Sequence, residues 1–213
     1  MPLDLLWEGP SDGPVLVLAH GAGAAMDSDW MNRMCALLAD DGIRTARFEF
    51  AYMASRRVGA RKPPPRGDSL LGEYRDAVTA VTDVVGAPVA IGGKSMGGRV
   101  ASMVADELLD AGSVSALVCF GYPFHPPGAP SKLRTAHLEQ LRTPTLILQG
   151  TRDPFGTLDE VPTYPLPASI RVAWLDDGEH EFKPRVKISG HTHAGHLATA
   201  AAEAATFLRT HRL

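Results

Sequence analysis

Short apolar runs rich in β-branched residues recur along the chain at Val15 to Ala19, Arg44 to Phe50, Val89 to Gly92, Ala116 to Phe120, Thr145 to Gln149 and Ile170 to Leu175. They are of strand length, and their apolar residues run together instead of alternating with polar ones, as expected for strands buried on both faces. Helical periodicity fills much of the sequence between them. Leu70, Tyr74, Ala77, Val78, Val81 and Val85 fall on one helical face, as do Val100, Met103, Val104 and Leu108. Leu197, Ala201, Ala204, Ala205 and Leu208 form a third such stripe. Strands alternating with helices predict an α/β fold: a mostly parallel twisted sheet with helices on both faces. Right-handed crossovers bring the C-terminal ends of the strands to one edge of that sheet, where function collects. Ahead of Val15 there is room for one short strand, such as Leu3 to Trp7. No repeat or low-complexity segment divides the chain, and residues 1–213 are expected to form a single domain. Three consecutive prolines and two glycines make Arg56 to Asp68 irregular, with neither a helix nor an interior strand expected.

Bulk composition changes this picture little. Of 213 residues, 45% are hydrophobic and 21% charged, and the formal net charge is -3, so no general attraction to nucleic acid or anionic membrane follows. No run has the length of a membrane span, and the first residues lack a basic start followed by an apolar run. A cytoplasmic location is expected. Cys35 and Cys119 lie in apolar-patterned segments and read as small core residues.

The segment VAIGGKSMGGRVA, residues 89–101, poses the first chemical question. Gly93-Lys94-Ser95 suggests the end of a phosphate-binding loop. Such a loop needs a glycine five positions before Gly93, and that position is Pro88, which has no N–H. Asp176 and Asp177, at the end of VAWLDD, resemble the acidic strand end of such proteins but do not supply the missing cradle. Gly93-Lys94-Ser95-Met96-Gly97 fits instead a Gly-x-Ser-x-Gly turn between a strand and a helix. There the serine is lifted above the sheet edge, and side chains two positions away on either side would collide with backbone.

A serine nucleophile needs a base, and the base an orienting carboxylate. Thr145 to Gln149 leads into GTRDPFG, which delivers Asp153 to the functional edge. Ile170 to Leu175 leads into DDGEHEF, which delivers His180. The order Ser, Asp, His is the one this kind of sheet uses. Asp159, Asp176 and Asp177 follow their strands less directly. An oxyanion site needs preset backbone donors. Met96 N–H, at the head of the helix after Ser95, is one candidate. Ala22 N–H, in the turn His20-Gly21-Ala22-Gly23, is the other, with Gly23 as a lesser option.

HGAG, GGKSMGGR, QGTRDPFG and DGEHEFK occur in this order over most of the chain, and with them it resembles the α/β-hydrolase superfamily. FEFAYM, the Arg/Pro-rich stretch and SMGGR are similar to its small capless branch near the dienelactone hydrolases. That branch includes the hydrolase-like domain of a testis-expressed protein and of a histone acetyltransferase complex subunit. The resemblance implies a carboxylester-hydrolase-like enzyme without a cofactor, acting on a small-molecule ester. It also implies an alternative, a non-catalytic binding or scaffold protein on the same fold. Dienelactone hydrolases carry a cysteine where this chain has Ser95. The superfamily's sheet begins with an antiparallel hairpin, for which the residues before Val15 are too few, so the sheet is expected to be truncated there.

The residues between Tyr122 and His137 are too few for a helical cap. An open cleft is expected, lined by Gly23, Tyr122, Phe124, His125 and Arg57 and suited to small or accessible esters. Arg56, Arg57, Arg61, Lys62 and Arg66 make either a solvated loop or a basic rim for an anionic substrate or partner. Arg66-Gly67-Asp68 reads as a chance match to an adhesion motif. In GHTHAGH, His193 and His196 have the spacing of a metal pair, but the chemistry proposed needs no metal and none is expected. Ser189 or Thr192 is expected to cap the last helix.

Overall fold

The computed structural model describes residues 3–59 and 63–212. Among these residues, seven strands form one sheet: β1 (Leu6–Glu8), β2 (Val15–Ala19), β3 (Arg44–Phe48), β4 (Val89–Lys94), β5 (Val114–Phe120), β6 (Thr145–Gly150) and β7 (Ile170–Leu175). Their order is β1-β3-β2-β4-β5-β6-β7. Every neighbouring pair is parallel except β1 with β3, where Trp7 faces Ala46. The N-terminal strand is shorter than Leu3 to Trp7 and shifted toward the first turn, and it is the sheet's single antiparallel member.

Among the described residues, six α-helices accompany the sheet: α1 (Asp29–Asp40), α2 (Ala51–Arg57), α3 (Leu71–Val85), α4 (Met96–Asp110), α5 (Val186–Ser189) and α6 (His193–Thr210). Met31, Met34, Cys35 and Leu38 of α1 and the alanine-rich stripe of α6 bury against Leu16, Leu18, Val118 and Leu148 on one face. Small alanines let α6 lie close to α1 and the sheet. Tyr74, Val78 and Val81 of α3 and Val100, Val104 and Leu108 of α4 bury against Val17, Phe48, Ile91 and Leu117 on the other. The two apolar layers account for the unbroken hydrophobicity of the strands. Both cysteines are buried and free. Thr192 caps α6, its Oγ1 accepting the Gly195 N–H at 3.1 Å.

Between β3 and α3 the structure departs from the expectation. β3 stops at Phe48, two residues before the expected end, because the Phe50 N–H turns away to donate to His20 Nε2 (3.2 Å). Ala51–Arg57 then form α2, so Arg56 and Arg57 are helical instead of irregular. No Gly or Pro falls within those seven residues, and burial of Tyr52 and Met53 supports the helix. Gly67–Leu70 form a 3-10 turn into α3. Arg61 and Lys62 lie outside the described residues. From 121 to 144 the chain runs through turns and bends with no helix. Among the described residues, no helix is long and apolar enough to cross a membrane.

Tyr74 ties the central strands together. Its buried hydroxyl accepts the Gly92 N–H (2.9 Å) and lies 2.7 Å from Gly92 O and 3.2 Å from Val17 O. Tyr74→Phe leaves the Gly92 amide without its partner and is expected to cost about 1–3 kcal/mol. Urea unfolding checks this; an unchanged midpoint would mean that the ladder re-forms around the lost hydroxyl.

Candidate active site

The strand-to-helix turn at Ser95 is built by sterics. Ser95 has φ 51°, a conformation in which an L-residue is strained. A Cβ at Gly93 would come within 2.7 Å of Ala19 O and 2.6 Å of Gly98 N. One at Gly97 would come within 2.6 Å of His20 O. Glycine at both positions therefore lets α4 start hard against β2 and lifts the Ser95 side chain clear of the sheet.

Two later strand ends meet that hydroxyl. His180 Nε2 lies 2.9 Å from Ser95 Oγ, and His180 Nδ1 lies 2.8 Å from Asp153 Oδ2. Asp153 is fully buried, and its other oxygen, Oδ1, accepts the Phe155 N–H at 2.9 Å. Since the carboxylate only accepts, Nδ1 carries the proton and Nε2 is free to accept one from Ser95. The ring of Phe155 lies against the imidazole with centroids 4.3 Å apart. Asp177, a weaker sequence candidate, is engaged elsewhere: Arg185 and Arg152 both pair with it, and its pKa is driven down chiefly by the hydrogen bond from Arg185.

The His20-Gly21-Ala22-Gly23 turn runs beside Ser95; a Cβ at Gly21 would sit 3.8 Å from Ser95 Cβ. His20 sets the turn's shape. Its Nδ1 donates to Gly21 O (2.7 Å) while Nε2 accepts from Phe50, so the ring is neutral, and burial lowers its pKa. Tyr52 Oη donates to Ala22 O at 3.0 Å. With its carbonyl so held, Ala22 lines the space next to Ser95. Met96 N–H opens α4, where no preceding turn offers it a carbonyl.

Two hollows flank Ser95. One, of about 420 Å³, includes Gly23, Trp30, Lys94, His180 and Glu181. The other, of about 470 Å³, includes Arg66, Asp68, Met96, Arg99, Pro123 and Arg134. Ala22 and Phe155 border both.

Four of the five expected lining residues are not there. Tyr122, Phe124 and His125 are buried, and it is Pro123 between them that faces the hollow. The cause is Gln149, whose side chain bonds both Tyr122 N–H (2.7 Å) and Tyr122 O (3.2 Å) and draws the segment into the core. Arg57 does not line either hollow. Its guanidinium pairs with Glu49 (2.6 Å) and Asp27 (2.7 Å) beside a third hollow near β1. Arg66 does reach the second hollow, at a highly exposed position.

Other side chains had no signal in the sequence. Lys94, the variable residue of the Gly-x-Ser-x-Gly turn, is buried. Its Nζ donates to His180 O (2.8 Å) and lies 3.2 Å from Glu181 Oε1, against the Trp30 ring. Burial lowers its pKa, and Glu181 opposes the shift. The SMGGR arginine, Arg99, was visible as a motif residue, but not its place in the hollow. A second Ser–His contact, Ser102 Oγ to His137 Nε2 (2.8 Å), is of a different kind. Ser102 donates its proton to Arg99 O (2.7 Å), so it can only accept from His137, whose pKa burial lowers to about 4.

His193 Nε2 bonds Glu181 O and His196 Nδ1 bonds Phe182 O, both at 2.9 Å. Among the described residues, no group of three His, Cys, Asp or Glu side chains is arranged to hold a metal ion.

Residues 12–209 match the family model described as alpha/beta hydrolase domain. Several solved structures share the fold at low identity. A dienelactone hydrolase from Anabaena variabilis is 22% identical, with 99% of this chain and 93% of that one covered and a TM-score of 0.76. A monoacylglycerol lipase from Paleococcus ferrophilus is 15% identical over 99% and 100%, with a TM-score of 0.69. A serine hydrolase without lid from Xanthomonas campestris is 17% identical over 94% and 88%, with a TM-score of 0.66.

Proposed function

The chain belongs to the alpha/beta hydrolase domain family, and from that premise we propose that it is a serine hydrolase cleaving small or accessible carboxylic esters through an acyl-enzyme. The observation that carries the reading is the continuous hydrogen-bonded run Ser95 Oγ, His180, Asp153, at 2.9 and 2.8 Å. A serine placed by chance would not also face a histidine whose second ring nitrogen meets a fully buried carboxylate. The likeness to dienelactone hydrolases and lidless serine hydrolases supports the capless branch as part of the proposal, with residues 1–213 as one domain.

In this mechanism Ser95 attacks the ester carbonyl as His180 Nε2 takes its proton. The tetrahedral oxyanion is held by the amides of Met96 and Ala22. Asp153 keeps Nδ1 protonated and stabilises the imidazolium. His180 returns the proton to the leaving alcohol, which departs on the His180 side, toward the hollow lined by Trp30 and Glu181. Water then attacks the acyl carbon by the same route and frees the acid and Ser95.

A fluorophosphonate probe followed by peptide mass spectrometry tests the reading. The expected adduct is on Ser95. An unmodified Ser95, in protein shown to be folded, would falsify the reading and favour the alternative of a non-catalytic binding protein.

Lys94 acts here as a positioning residue, because it holds the carbonyl of the very residue that serves as base. Lys94→Met keeps the stem against Trp30 and removes the donor. A drop of about 10- to 100-fold in kcat with little change in KM is expected, since small displacements of a base carry costs of that order. The rate of Ser95 phosphonylation should fall in proportion. Retention of both rates would show that the 180–181 segment is fixed without the ammonium.

A further inference from the structure

Resting on the hydrolase reading, we propose that the second hollow is an acyl subsite built for a terminal carboxylate, so that preferred substrates are hemiesters of short dicarboxylic acids. The hollow that holds Arg66, Arg99 and Arg134 contains Ser95 but not His180. A leaving alcohol must depart toward its proton donor, which lies by the other hollow. The acyl part of the ester therefore occupies the arginine side.

Arg99 follows Ser95 by four residues on α4, with its N–H bonded to Ser95 O at 3.0 Å. Ser95 is the N-cap and Arg99 the fourth residue of the helix, about 6 Å further along its axis. A charge two to three methylenes beyond the reacting carbonyl spans a rise of that order. Arg99 is seated, not loosely exposed. Its side chain is 19% exposed, and its Nη1 lies 2.6 Å from where a Cβ on Gly67 would be, so the loop backbone packs directly on the guanidinium. Its Nε is buried and has no hydrogen-bond partner. Asp68, half exposed, stands 3.6 Å from one terminal nitrogen, which leaves the guanidinium only partly neutralised.

Arg134 comes from the segment after β5. Its backbone N–H is fixed to Phe124 O at 2.7 Å, and the neighbouring His137 is tied to Ser102 of α4. Among the described residues the Arg134 guanidinium has no carboxylate partner. Burial and the nearby Arg99 both lower its pKa. Two guanidinia line one space that opens on the nucleophile, and an anion bound there would relieve their mutual repulsion. Their planar forks match a carboxylate. Three cations against one carboxylate line this hollow.

The test compares kcat/KM for 4-nitrophenyl hemiglutarate with that for 4-nitrophenyl pentanoate, which has the same chain length and no charge. Wild type is expected to favour the hemiglutarate by about 30-fold, the range of one or two charge-assisted hydrogen bonds. Arg99→Gln and Arg134→Gln should each lower that ratio by about tenfold or more. Using both guards against misfolding at the more tightly packed Arg99. If pentanoate is cleaved but the wild-type ratio is near one, or neither substitution moves it, the subsite is overturned and the hydrolase reading stands. If neither ester is cleaved and the fluorophosphonate leaves Ser95 unmodified, the hydrolase reading falls and the subsite with it.

Discussion

Ser95→Ala is expected to lower kcat toward a 4-nitrophenyl ester by about 10⁵-fold while leaving the fold in place. The size of the loss follows from what the hydroxyl does and does not do. Among the described residues its one side-chain partner is His180 Nε2. It makes no capping bond to the α4 amides, although it stands at the N-cap. Its removal therefore costs α4 nothing in hydrogen bonding. The strained φ of 51° is shared by serine and alanine, so the backbone penalty is unchanged. Removal of the nucleophile leaves only the oxyanion donors and ester binding, which sustain a small residual rate. Thermal unfolding should show a midpoint close to that of wild type. Turnover within tenfold of wild type, in a preparation free of contaminating esterase, would move the chemistry away from Ser95.

The parts of this site that could be read along the chain are those tied to local backbone. Gly93 and Gly97 mark the turn because any side chain there meets the β2 end. Asp153 and His180 follow directly on strands whose apolar runs are unmistakable. Parallel topology then brings their ends to the same edge, so three residues far apart in sequence could be grouped without coordinates. What depended on side-chain traffic between distant segments was hidden. Lys94 donates to a carbonyl 86 positions away, and nothing in GGKSMGG signals that its ammonium turns inward. Tyr122, Phe124 and His125 look like rim residues because they follow a strand end. Gln149, one strand over, draws that segment into the core, where only Pro123 borders the hollow. Glu49 and Phe50 read as the end of the strand, because its earlier break depends on the His20 ring capturing the Phe50 amide. Reading Arg56 to Asp68 as irregular put Arg57 at the site, when as a helical residue it turns to Glu49 and Asp27.

Asp153→Asn gives the second large effect, about 10⁴-fold in kcat near neutral pH, and the direction follows from a single amide. Asparagine has the same shape, so the buried position is filled without a cavity. Its orientation, however, is not free. Phe155 N–H points at the Oδ1 position and requires an acceptor there, which sends the amide oxygen to that side. The amide nitrogen must then occupy the Oδ2 position, facing His180 Nδ1 at hydrogen-bond distance. An NH₂ group donates, so Nδ1 is forced to accept, and the ring proton moves to Nε2. In that tautomer His180 presents an N–H to Ser95 and cannot take its proton. The imidazolium formed during attack also loses its counter-charge. The variant should therefore be folded and able to bind ester, with KM little changed and phosphonylation of Ser95 slowed in step with kcat. The His180 ring ¹⁵N shifts, read by NMR at a pH where the ring is neutral, should show the proton moved from Nδ1 to Nε2. A loss of tenfold or less, with the wild-type tautomer retained, would mean that Asp153 does not orient the base, and the acid would have to be sought elsewhere on the edge.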